Sequence, residues 1–215
     1  MKDFREMVQT LLELSDNQWG IYAFDRDPLE GKFSPEEKRV YIDKANEYGR
    51  KTARAKSEKY REIHKLASGL GVKIEYSDAT IGGGHIVFAQ FIEPNHITIF
   101  KKAVGAIQPF FEEIHTLTGD VDIVEVLLAH EIFHYIEHIE EQTIYTRIEK
   151  VELWRWPFSN KSRIRALSEI AGMAFAKEFL KLSYSPFIFD FIFMYGYDQE
   201  AAIEMYEDIV KSNRL

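Results

Sequence analysis

With 215 residues, 46% hydrophobic and 29% charged, the chain has the composition of a globular protein able to bury a sizeable core, which excludes an intrinsically disordered segment. It has no cysteine, which excludes disulfides and thiolate metal sites and fits a cytoplasmic location. A formal net charge of −8 argues against direct nucleic-acid binding. No secretory h-region is visible, and the apolar run Phe187 to Tyr195, interrupted by Asp190, is too short for a membrane span.

Residues Phe4 to Leu14 are predicted to form a first helix with Phe4, Met7, Val8, Leu11 and Leu12 on one face. A polar, turn-rich segment follows through Asp27-Pro28 and Gly31. Ser34-Pro35-Glu36-Glu37 supplies a cap, a proline at the first helical position and a glutamate at N3, and starts a helix reaching about Ser68, kinked or split near Gly49. After Gly69-Leu70-Gly71, the segments Val72 to Tyr76, His85 to Phe91 and His96 to Phe100 alternate or are β-branched, which predicts a small antiparallel sheet or meander. Its turns fall at Gly82-Gly83-Gly84 and Glu93-Pro94-Asn95.

Lys101 to Leu117 reads as a helix containing Pro109, and Val121 to about Glu140 as the most apolar helix of the chain. Glu141 to Asn160 is ambiguous and ends in Trp154, Trp156 and Phe158. Ser162 to Leu182 is a further helix, and short helices around Phe187 to Met194 and Gln199 to Val210 close the chain. The basic stretch Arg50 to Lys59 reads as a solvated helix face. The Phe187 to Phe193 run suits either a packed terminal helix or a partner interface.

Within the apolar helix stands His130-Glu131-Ile132-Phe133-His134, an HExxH array. Histidines four residues apart share a helix face and can grip one metal ion, and the glutamate between them can serve as general base for metal-activated water. Val124, Val126, Leu127, Leu128, Ala129, Ile132 and Phe133 would hold this helix in a core, where two imidazoles and a carboxylate are costly without a partner.

A catalytic zinc site uses three protein ligands plus water. The distal histidine of the metzincin pattern is absent, because Glu140 occupies its position. His138 lies one turn beyond His134, but three successive turns would spread ligands over about 12 Å of helix axis, so it reads as a cleft residue more readily than as a ligand. Glu169 is the better candidate. Ala171, Gly172, Ala174 and Ala176 would let its helix approach the motif helix closely, although an early-helix acid can also serve only the helix dipole.

His130 to His134 with His138, followed by Glu169-Ile170-Ala171-Gly172-Met173-Ala174-Phe175-Ala176, resembles the ImmA/IrrE family of metallopeptidase-like domains over about residues 55 to 185. The resemblance implies that Glu169 completes a zinc site with His130 and His134, and that Glu131 acts as the catalytic base. Phe133 stands where the family usually has glycine, and the first 50 residues do not resemble the helix-turn-helix domain some members carry.

The expected fold is therefore α+β: a mostly helical zincin-like domain with a small three-stranded sheet and an HExxH active-site helix, over residues 51–215, preceded by a helical extension over 1–50. The expected function is zinc-dependent hydrolysis of a peptide or protein, with peptide aligned on the edge of the Gly84 to Phe91 segment; the resemblance implies site-specific cleavage of a cytosolic regulatory protein, often a transcriptional repressor. A non-catalytic, zinc-stabilised interaction domain is the alternative, with Phe133 or the Trp154-Trp156 segment closing the metal position. Oxyanion-stabilising candidates are His138, His115, Tyr135 and Tyr145.

Overall fold

The computed structural model describes residues 3–79, 87–154 and 160–213. Helix α1 (Phe4–Leu12) starts at Asp3, whose side chain accepts the Glu6 amide, and buries Phe4, Met7, Val8 and Leu11. The segment read as a polar turn contains a second helix, α2 (Asp16–Asp25). Ser15 and Gln18 form a reciprocal capping box that starts it. Trp19 and Phe24, fully buried, then fix it to the core.

Helix α3 (Pro35–Ser57) begins at the predicted Ser34 capping box. It continues through Gly49 without interruption and ends at Ser57; a turn then leads into α4 (Ile63–Gly69). Neither glycine nor proline causes that break. Tyr60 instead folds back over Gly69, where a Cβ would lie 2.3 Å from its hydroxyl, while Ile63, Leu66 and Ala67 turn into the core. The Val72 amide then bonds the Ala67 carbonyl at 2.9 Å, and Gly71, with φ of 76°, supplies the left-handed residue that ends the helix.

Strands β1 (Lys73–Ser77), β2 (Ala89–Ile92) and β3 (His96–Phe100) form one sheet in the order β1-β3-β2. The sheet is mixed rather than antiparallel: β1 runs parallel to β3, with Ile74 opposite Ile97, and β2 runs antiparallel to it, with Phe91 opposite Ile97. Ile97 and Ile99 are fully buried, so β3 takes the centre and the two more exposed strands take its edges. The predicted glycine turn Gly82-Gly83-Gly84 lies outside the described residues.

Helix α5 (Lys101–Thr118) accommodates Pro109, and α6 (Ile123–Ile139) starts where the Asp122 carboxylate accepts the Val124 amide. The stretch that was ambiguous in sequence forms a short helix α7 (Tyr145–Ile148), then β4 (Lys150–Trp154) and β5 (Asn160–Arg163), paired antiparallel. Helix α8 (Arg165–Leu180) follows, and α9 (Ile188–Tyr197) and α10 (Gln199–Ser212) complete the chain. Trp156 and Phe158 lie outside the described residues.

Helix α8 is the axis of the molecule, with α2, α3 and α6 packed around it. Two features bring it close to its neighbours. Buried Asp27 accepts the Ala166 amide at 2.8 Å and so anchors its first turn. Gly49 of α3 meets its backbone directly, since a Cβ there would fall 2.1 Å from the Ala171 carbonyl oxygen. Residues of α1, α2 and α3 share one hydrophobic core with those of α6, α8 and α9, and the expected boundary at residue 50 falls inside α3. Helix α9 is likewise a packed helix, with Ile188, Phe189, Phe191 and Ile192 buried.

Candidate metal centre

Helix α6 is fixed by burial of Val126, Leu128, Ala129, Ile132, Phe133 and Ile136, and this presents His130 and His134 on the side facing α8. Gly172 of α8 makes room for the first imidazole: a Cβ there would lie 3.1 Å from His130 Nδ1. One turn earlier on α8, Glu169 reaches the same point. The structure thus brings together His130, His134 and Glu169, three residues from two helices.

The Nε2 atoms of His130 and His134 lie 2.9 Å apart, with the Glu169 carboxylate 3.4 Å from the first and 3.8 Å from the second. Each side chain offers a donor atom within 4.8 Å of the other two, a spacing able to hold one metal ion. Two ring nitrogens that face each other at this distance require a proton or a cation between them. Burial works against a charged His130, but Glu169, then Glu131 and Asp190, outweigh it and raise its pKa to about 9. Desolvation likewise opposes an ionised Glu169, yet His130 and His134 hold its pKa at about 2. A field that stabilises an imidazolium here would also favour a divalent cation.

Glu137, which sequence reasoning missed, orders one of the donors. It is fully buried, and its Oε2 lies 3.0 Å from His134 Nδ1 and accepts the Ser168 hydroxyl at 2.5 Å. The Thr146 hydroxyl donates to Oε1, and the Arg147 guanidinium stands 3.6 Å away. Burial alone would raise the pKa of this acid, but His134, Ser168 and Thr146 together lower it, so it is held ionised. With Nδ1 engaged, His134 turns its Nε2 toward the triad, the arrangement by which a carboxylate orients a ligating imidazole. The signal in the sequence was an acid one turn beyond His134 in an otherwise apolar helix.

Glu131 points to the other side of the triad, where its Oε2 accepts the Phe91 amide of β2 at 2.7 Å. Strand β2 is an edge of the sheet, so this amide faces α6 and not β3. Between β2, α6, α8 and α9 lies a cleft of about 370 Å³ that reaches His130, Glu131 and Glu169 and is walled mainly by apolar side chains, among them Phe88, Leu127, Met173 and Phe193. Asp190 of α9 also lines it, and burial together with Glu169 raises its pKa to about 6.

The remaining candidates lie elsewhere. His138 Nδ1 is 3.3 Å from Glu93, with its ring against Phe91, one turn from the donors. Phe133 is fully buried against Phe175 and does not line the cleft. His115 pairs with Asp120 at 2.6 Å on another surface, and the Tyr135 hydroxyl donates to the Leu70 carbonyl. Tyr145 lies tilted against Tyr48 with its hydroxyl buried. None of these four oxyanion candidates lines the cleft. Compared with known proteins, the chain matches no family model, no curated protein and no solved structure.

Proposed function

We propose that this protein is a zinc-dependent metallopeptidase of the zincin type. One observation carries the reading: His130, His134 and Glu169 converge at one point, and Glu131 stands beside them in a cleft bordered by a strand edge. Two imidazoles and a carboxylate, in a chain without cysteine, are the donor set of a catalytic zinc site that keeps a position open. A zinc ion held there supplies Lewis acidity, polarising a substrate carbonyl and lowering the pKa of water.

The chain's own residues carry the rest. Extended peptide lies along Val87 to Ala89, the stretch that leads into edge strand β2 and borders the cleft. Glu131, oriented by the Phe91 amide, accepts a proton from the attacking water and passes it to the leaving amine nitrogen. Glu137 engages Nδ1 of His134 and so fixes the direction of its Nε2. The resemblance to the ImmA/IrrE family favours a regulatory protein, such as a transcriptional regulator, as substrate. The open cleft favours the enzyme over a non-catalytic zinc-stabilised interaction domain, in which the fourth position would be closed.

The test compares zinc-loaded wild type with Glu131→Gln on a degenerate peptide mixture, with new amino termini read by mass spectrometry. Wild type should cleave, and Glu131→Gln should retain zinc while losing at least about 100-fold in rate. Cleavage that persists in Glu131→Gln would overturn the assignment of the base; a zinc-loaded wild type that cleaves nothing would favour the interaction domain.

A further inference from the structure

The cleft beside the donor triad has one polar wall that the proposed chemistry leaves unused. Asp190 stands in the first turn of α9, yet its carboxylate makes no hydrogen bond or ion pair among the described residues. It borders a space otherwise enclosed largely by Phe88, Leu127, Met173, Phe189 and Phe193, together with His130, Glu131 and Glu169. The charged groups around it are Glu169 and His130 within the cleft and Arg26, which follows the last residue of α2. Arg26 belongs to a second hollow that shares Asp190 and Glu169 as its wall, and its guanidinium is turned to the Tyr22 hydroxyl at 2.7 Å. Once Glu169 is engaged by a metal ion, Asp190 is the carboxylate of the cleft still without a role, because Glu131 holds the Phe91 amide.

A purely apolar side chain entering this cleft would match its walls but would seal a carboxylate from water with no donor to replace the lost hydration, which is unfavourable. A lysine or arginine meets both demands. Its methylene stem covers Phe88, Phe189 and Phe193, and its N–H groups give Asp190 charge-assisted hydrogen bonds. We infer that this cleft is a specificity pocket for a basic side chain, Lys or Arg, adjoining the scissile bond of the substrate, with Asp190 as the residue that selects it. The inference rests on the metallopeptidase reading above and adds to it the chemical class of the side chain recognised.

The experiment measures binding of matched peptide hydroxamates to the zinc-loaded full chain by calorimetry, varying one side chain among Lys, Arg and norleucine, the last an apolar counterpart of the lysine stem. Acetohydroxamate serves as the metal-only probe. In wild type, the Lys and Arg compounds should bind at least about tenfold tighter than norleucine. Asp190→Asn should bring the three within about twofold, and Asp190→Leu should make norleucine the tightest. Zinc content and thermal midpoint check that each variant is folded. Equal affinities in wild type, or a basic preference that survives both variants, would overturn the pocket while leaving the metallopeptidase reading intact provided acetohydroxamate binds. If not even acetohydroxamate binds, the metal reading fails and the pocket fails with it.

Discussion

Glu137 has no solvent exposure and receives His134, Ser168 and Thr146 at once, with Arg147 nearby. Such a carboxylate is stable in a core because every oxygen is engaged. Replacing it with glutamine keeps the shape but removes the charge behind His134. Glu137→Gln is expected to weaken zinc affinity about 10- to 100-fold, as measured by competition with a chelating dye, with the fold retained; an unchanged affinity would mean that Glu137 is only structural. Residue chemistry also sets a pH dependence in the metal-free protein. His130 has its folded pKa raised from 6.5 to about 9, so its stabilising contribution is full below 6.5 and lost as pH rises through 9. Glu169, lowered from 4.5 to about 2, contributes fully above 4.5 and loses that contribution as pH falls through 2. The thermal midpoint of chelator-treated protein should therefore fall between pH 6.5 and 9 more steeply in wild type than in Glu169→Gln. The difference will be modest because Glu169 is 51% exposed. Equal slopes would show that the pair is not coupled. His130, Glu131, His134 and Glu169 were legible in the sequence because helical spacing and a small-residue helix carry their signal locally. Glu137 and Asp190 were not, since their significance depends on Ser168, Thr146 and a cleft formed by distant segments.

At the scale of elements, the site depends on how closely α3, α6 and α8 approach. Gly49 and Gly172 are the contacts at which a side chain would intervene, the first against a backbone carbonyl and the second against the His130 ring. In an exposed helix Gly→Ala stabilises by about 1 kcal/mol. At Gly49 that gain is overridden, because the Ala171 carbonyl 2.1 Å from the new Cβ belongs to the backbone of α8 and cannot rotate aside. Gly49→Ala should destabilise the protein by about 1–3 kcal/mol in urea unfolding; a stabilised variant would contradict the tight packing. The sequence indicated the starts of α1, α3 and α6 because their caps and apolar faces are local. It did not indicate α2, whose apolar residues Trp19, Tyr22 and Phe24 lack a clean helical stripe and are fixed by packing against distant side chains such as Phe187. The β4–β5 pair was missed for a similar reason: Asn160–Arg163 is too polar to declare a strand without its partner. The expected kink or split near Gly49 does not occur; the glycine serves the close approach of α3 to α8.

Across the whole molecule, the donor triad sits where the helices of one core meet and where the sheet edge reaches α6. No helix among the described residues is long and apolar enough to cross a membrane. The α+β class and the three-stranded sheet follow from the sequence pattern, while the mixed topology follows from burial of β3 at the centre. A metal ion held by α6 and α8 would tie together the two helices around which the core is built, so metal binding and stability should rise together. The most direct measurement is elemental analysis after reconstitution with zinc and exhaustive dialysis, on wild type and single variants. Wild type should retain one zinc ion per chain. His130→Ala, His134→Ala and Glu169→Gln should retain far less, and His138→Ala should match wild type. A wild type that retains no zinc, or a Glu169→Gln variant that binds normally while His138→Ala does not, would contradict the proposed centre.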